Sequence, residues 1–158
     1  MRQSTSMATF EAAGLESLAL SMEQFAAIPD QVVKEMLDAG AAVVVRYHRS
    51  EVSAQGLVKS GKLLSSIKAH PKSGSAKNDW KRYVLIYPAG QHGTYRARSS
   101  DGTKVVTNSE VGFIQAYGAP RKGIRATDWM NKANAKAAPE VEKAELAVYD
   151  RWLKSLDL

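Results

Sequence analysis

The seven residues from Gly56 to Lys62, GLVKSGK, come nearest in this chain to a recognised chemical motif. They fill the first seven positions of G-x-x-x-x-G-K-[ST], a loop whose backbone N–H groups cradle phosphates, whose Lys reaches them and whose final hydroxyl holds Mg²⁺. Position eight is Leu63, which cannot ligate magnesium, and the residues before the loop read as a long helix rather than a core strand. The expected structure is instead a helix end at Gly56, a loop, and a short amphipathic piece, Leu63 to Ile67, leading into a strand that ends near His70 and Pro71. The three histidines, His48, His70 and His92, fall on separate elements. His48 is the best placed for acid–base work, but only Glu51 lies near it in sequence, and a solvated histidine at a basic helix end is the plainer reading. The sequence contains no Cys, H-E-x-x-H, G-x-S-x-G or close carboxylate pair inside an apolar strand. Catalysis, a metal and a cofactor are therefore not expected.

Charge is the second signal. Residues 1–40 hold two basic and six acidic side chains, residues 41–136 hold seventeen and five, and residues 137–158 hold three and five. A basic middle between acidic ends favours phosphate or an acidic protein surface. Two sets of cations stand out. Arg96, Arg98 and Lys104 lie on a Gly-rich excursion, with Tyr95 among them as a possible base-stacking ring, and could face DNA or line a lumen. Arg121, Lys122 and Arg125 lie on a Gly/Pro-punctuated loop, and with Tyr117 and Trp129 they form a candidate subunit or partner interface. A solvated basic surface with no ligand is the alternative in both cases.

The elements that would position these residues follow from periodicity. At 158 residues, one domain can bury roughly 70% of its unfolded surface without cross-links. Residues 1–9 are expected to be a flexible N-terminus and residues 10–158 a single α+β domain. No apolar run approaches a membrane span, and Arg2 to Ser6 lack the apolar region of a signal peptide, so no membrane partner is expected. From Phe10 to Ala27, Leu15, Leu18, Met22 and Phe25 recur at helical spacing, a stripe for the domain's own core or for a partner. Pro29 can open a second helix running to about Val52, with Val33, Met36, Leu37, Gly40, Val44 and Tyr47 (or Val43 and His48) on its apolar face. Trp80 to Tyr87 reads as a strand apolar on both faces, hence internal. Asp101-Gly102 is a tight-turn signal that would pair Thr94–Ser99 with Thr103–Asn108, and Val111–Tyr117 would return as another core strand. Thr127 is the N-cap candidate of a last helix reaching Leu156, which Pro139 should kink or restart. The whole predicts two N-terminal helices, a small antiparallel sheet of three to four strands with a long hairpin excursion, and a C-terminal helix packed on the sheet.

Two segments resemble a known family. Gly61-Lys62-Leu63-Leu64-Ser65-Ser66-Ile67 is similar to a T-G-x-L-x-x-S-I element, and Gly112 to Met130 to an F-x-E-Y-G … A-R-P-F-[LM] element. Both belong to the tail completion or head-to-tail joining proteins of long-tailed phages and prophages, minor tail components of the gene-ten-product type. The order of parts matches over most of the chain. Ser60 stands where the family has Thr, Gln115-Ala116 replace the acidic position before Tyr117-Gly118, and Thr127-Asp128 replace the Arg-Pro before the aromatic. The resemblance implies a non-catalytic virion protein of the neck or tail, assembled in the host bacterial cytoplasm. It also implies a ring homo-oligomer, a hexamer by the sixfold symmetry of such tails. The partners it implies are the tail terminator, tail tube and head connector, with non-specific contact to passing DNA. A sequence-independent nucleic-acid-binding module is the alternative.

Overall fold

The computed structural model describes residues 28–73, 82–96 and 102–156. The expected flexible start, the helix over Phe10–Ala27, Arg98 and the Asp101 half of the turn lie outside the described residues. The chain divides into two compact units, Met1–Val33 and Lys34–Leu158. In the first, Pro29 opens a helix as expected, its carbonyl accepting from the N–H groups of Val32 and Val33.

The protein is α+β. Helix α1 runs Asp30–Ala54, through the β-branched Val43 to Val45. It closes where the sequence placed its end. Gly56 adopts φ +70°, its N–H bonds Ser53 O at 3.0 Å, and the Leu57 N–H reaches back to Val52 O at 2.9 Å. This is a Schellman closure, completed by Val52 in the core and Leu57 packed against that core. A five-residue helix, α2 (Lys62–Ser66), leads directly into β1 (Ile67–Ser73), which pairs antiparallel with β2 (Arg82–Pro88) in the register Ile67↔Pro88 to Ser73↔Arg82. The second ribbon pairs β3 (Gln91–Arg96) with β4 (Thr103–Thr107), with an irregularity at Gln91/Gly93. The ribbon was expected, but its first strand starts three residues earlier than the sequence suggested. The four strands form two separate two-stranded sheets rather than one.

The largest correction concerns Val111–Tyr117, read above as a core strand. It belongs to helix α3 (Asn108–Tyr117). Thr107-Asn108-Ser109-Glu110 is a capping box: the Glu110 N–H donates to Thr107 Oγ1 while the Thr107 N–H donates to Glu110 Oε2. Asn108, Gly112 and Ala116, four apart, form the buried face. Phe113 and Tyr117, also four apart, are exposed. Apolar residues on both faces hid the 3.6-residue period.

β2 is corrected too. Val84, Ile86 and Pro88 turn inward, whereas Tyr83, Leu85 and Tyr87 form an exposed ridge, so the strand is not internal. The C-terminal helix, α4, spans Trp129–Ser155 without interruption at Pro139, which is exposed. One intrahelical bond is lost there. Side chains on either side hold the helix, Ala137 in the core and Glu140 bonded to Arg46 and Tyr47 of α1. Thr127 is not the N-cap. Its hydroxyl donates to Gln115 O at 2.7 Å, and Asp128 takes the cap position at φ +55° with no side-chain cap bond.

The core is a cluster of Val52 (α1), Leu63 (α2), Ile67 (β1), Ala116 (α3) and Trp129 (α4), with Val45, Leu57, Leu64, Ile86 and Met130 against it. The start of α4 thus packs on the first sheet, and the two family-like segments meet in this one cluster.

Candidate interaction surface

β4, α3 and the turn after α3 enclose an open groove of about 620 Å³, lined by Lys104, Val106, Ser109, Glu110, Phe113, Ile114 and Lys122. Lys104 and Val106 come from alternate β4 positions, and Ser109, Glu110, Phe113 and Ile114 from successive turns of α3. Phe113 and Tyr117 are 60% and 53% exposed and touch each other, ring centroids 4.6 Å apart. Glu110 lines the groove, but its charge serves the α3 N-terminus. The Thr107 backbone N–H holds its carboxyl below the usual carboxylate range.

The Gly/Pro-punctuated loop is braced. Gly118 ends α3 at φ +81°, and a Cβ there would lie 2.8 Å from Ala126 N and 2.9 Å from Ile124 O. Ala119 and Ile124 bridge antiparallel around a 3₁₀ turn, Pro120–Lys122. The N–H groups of Thr127 and Asp128 bond the carbonyls of Gln115 and Ala116. Arg121, Lys122 and Arg125 therefore stand exposed on a fixed hairpin-like turn.

The two cation sets are partly merged. Lys104, grouped above with Arg96 and Arg98, lines the same groove as Lys122 of the interface set. Arg96 lies on β3, its backbone paired with Thr103, and only that backbone is described. Tyr117 borders the groove through Phe113. Trp129 does not belong on the interface: it is fully buried, its indole N–H donates to Gly112 O at 3.0 Å, and its ring is needed by the core.

His48 is buried rather than solvated, and each histidine has a partner within the chain. His48 meets Trp129 edge-on at 5.4 Å and has Nε2 2.7 Å from Asn134 Oδ1; burial pushes its pKa down, partly opposed by that hydrogen bond. His70 stacks on Tyr87 at 4.0 Å, and His92 Nδ1 is 2.8 Å from Asn108 Oδ1. Lys62, the lysine of the phosphate-loop look-alike, donates to His92 O at 2.6 Å. Among the described residues no three His, Asp or Glu side chains could hold a metal ion, and no helix is long and apolar enough to cross a membrane.

The residues that sequence reading missed are Val106, Ser109, Phe113 and Ile114 as groove walls. The T-x-x-E signature at Thr107 was the available signal, since it starts a helix where a strand had been expected. Comparison of the chain with protein-family models, curated proteins and solved structures finds no match.

Proposed function

We propose that this protein is a structural subunit of a phage or prophage neck or tail, a tail completion or head-tail joining protein that assembles with copies of itself and acts without catalysis. The observation that supports the reading is a pair of inequivalent exposed apolar faces on one chain. They are the Tyr83-Leu85-Tyr87 ridge of β2, and the groove with Phe113 and Tyr117. Exposed apolar surface of this kind marks a contact site. A subunit that joins both copies of itself and a further component needs more than one such face. The two short family-like segments point the same way. In this reading one face joins neighbouring copies and the other meets the tail terminator, tail tube or head connector.

A sequence-independent DNA-binding module is the second reading, favoured by the exposed Arg121, Lys122 and Arg125 on one braced turn. It is the weaker reading, because the groove beside that turn joins its lysines to exposed apolar walls, which a phosphate backbone does not need. Native mass spectrometry with negative-stain imaging tests the assembly reading. Rings, or oligomers formed on purified tails or heads, are the expected outcome. A strict monomer at high concentration that joins neither, yet binds duplex DNA with steep salt dependence, would replace it with the second reading.

A further inference from the structure

Resting on this self-association reading, we infer that the β4/α3 groove receives the outward face of α4 from a second copy. Trp129, Ala133, Ala137 and Val148 mark the inward face of α4. At 100° per residue, Pro139, Glu142, Leu146 and Asp150 fall on the opposite side. Leu146 is 49% exposed, and neither Glu142 nor Asp150 has an ion-pair partner among the described residues. The face is thus an exposed leucine between two free carboxylates, roughly 12 Å apart along the helix, with Lys143 beside them.

The groove presents the complement. Val106, Phe113 and Ile114 supply apolar walls, and Lys104 and Lys122 supply cations that likewise lack ion pairs among the described residues. Arg121 and Arg125 on the adjoining turn add to the positive field. The acid lining the groove, Glu110, is already bonded to the Thr107 backbone at 2.8 Å and its hydroxyl at 3.2 Å, and only its weaker, through-space attraction reaches Lys104. An amphipathic helix in an apolar groove, registered by opposite charges at the rim, is an established mode of recognition. Groove and stripe are different surfaces of the same chain, so the contact is heterologous. It repeats head to tail and closes if the rotation between copies closes.

The chain has no cysteine, so Phe113→Cys and Leu146→Cys each place one thiol at an exposed position. Full-length single variants are mixed and oxidised with copper–phenanthroline, with native mass spectrometry run in parallel. The expected result is a mixed disulfide that forms at least about tenfold faster than either variant links to itself, the gain that proximity within a complex confers. As a second variant, Lys122→Glu should dissociate the assembly and Asp150→Lys in the same chain should restore it. Self-linking of Phe113→Cys as the dominant product would overturn the inference in favour of a twofold contact. Rings without the mixed disulfide and without charge rescue would overturn it while leaving the assembly reading standing. Protection of the groove thiol by duplex DNA would assign the groove to nucleic acid and overturn it as well. A monomer throughout would remove both.

Discussion

The seam between α1 and α4 and the groove between β4 and α3 are built in opposite ways. In the seam most polar groups find partners within the chain, the buried His48 Nδ1 being an exception. Glu51 is 5% exposed, and its carboxyl accepts from Lys136 at 2.6 Å and from Gln55 at 2.8 Å. Glu140 accepts from Tyr47 and Arg46, and His48 from α1 meets Asn134 and Trp129. In the groove, apolar side chains face water and lysines stand without ion pairs among the described residues. A buried polar group is costly unless bonded, so a finished interface is recognised by its satisfied polar atoms. An unfinished one is recognised by exposed apolar area.

The most damaging change to the seam is Trp129→Ala. It removes a fully buried ring together with its bond to Gly112 O, and should cost about 3–5 kcal/mol in urea denaturation. A negligible loss would return Trp129 to the interface where the sequence reading had placed it.

Acidification should act on the same seam. Burial lowers the His48 pKa, so the fold favours the neutral ring. This contribution is complete above the ordinary histidine value of about 6.5 and is lost as pH falls below it through the folded value. Hydrogen bonding from Lys136, and then from Gln55, lowers the Glu51 pKa, so its contribution is present above the usual carboxylate range and disappears in strong acid. Glu145 has the opposite sign, since burial raises its pKa and its ionised form opposes folding. His48 and Glu51 should therefore make denaturation midpoints rise with pH up to about 6.5, with Glu145 working against them, and His48→Gln should flatten that rise. An unchanged slope would mean that the ring is solvated.

The smallest effect on stability is expected in the groove. Phe113→Asp should shift unfolding by no more than about 0.5 kcal/mol, as surface substitutions do, while abolishing self-association on a sizing column by setting a new carboxylate against Glu142 and Asp150, a repulsion that an uncharged Cys there does not introduce. A large loss of stability with association intact would show that the groove belongs to the chain's own core, and the contrast with the seam would collapse.

Much of this was legible in the sequence. α1, its glycine closure, the α2 to β1 step and the late helix all follow from periodicity and terminal signals, because each signal lies within a few residues of what it controls. α3 was not read as a helix because Phe113 and Tyr117 make its outer face as apolar as its inner one. β2 was misjudged for the same reason, Tyr83, Leu85 and Tyr87 being apolar but exposed. Periodicity separates buried from exposed only where the exposed face is polar, and on α3 and β2 it is not.

The sequence by itself determined the α+β class, the absence of thiol chemistry, the basic middle between acidic ends, and the failure of GLVKSGK as a phosphate loop at Leu63. Only the tertiary structure decided which aromatic goes inside. Trp129 lies under α3 with its indole bonded to Gly112, while Phe113, one residue further along, turns outward beside Lys104 and Lys122. The physical reason is that burial belongs to pairs of surfaces. Asn108, Gly112 and Ala116 present a flat helix face that admits the indole, and once that face is filled the side chains a third of a turn away stay exposed.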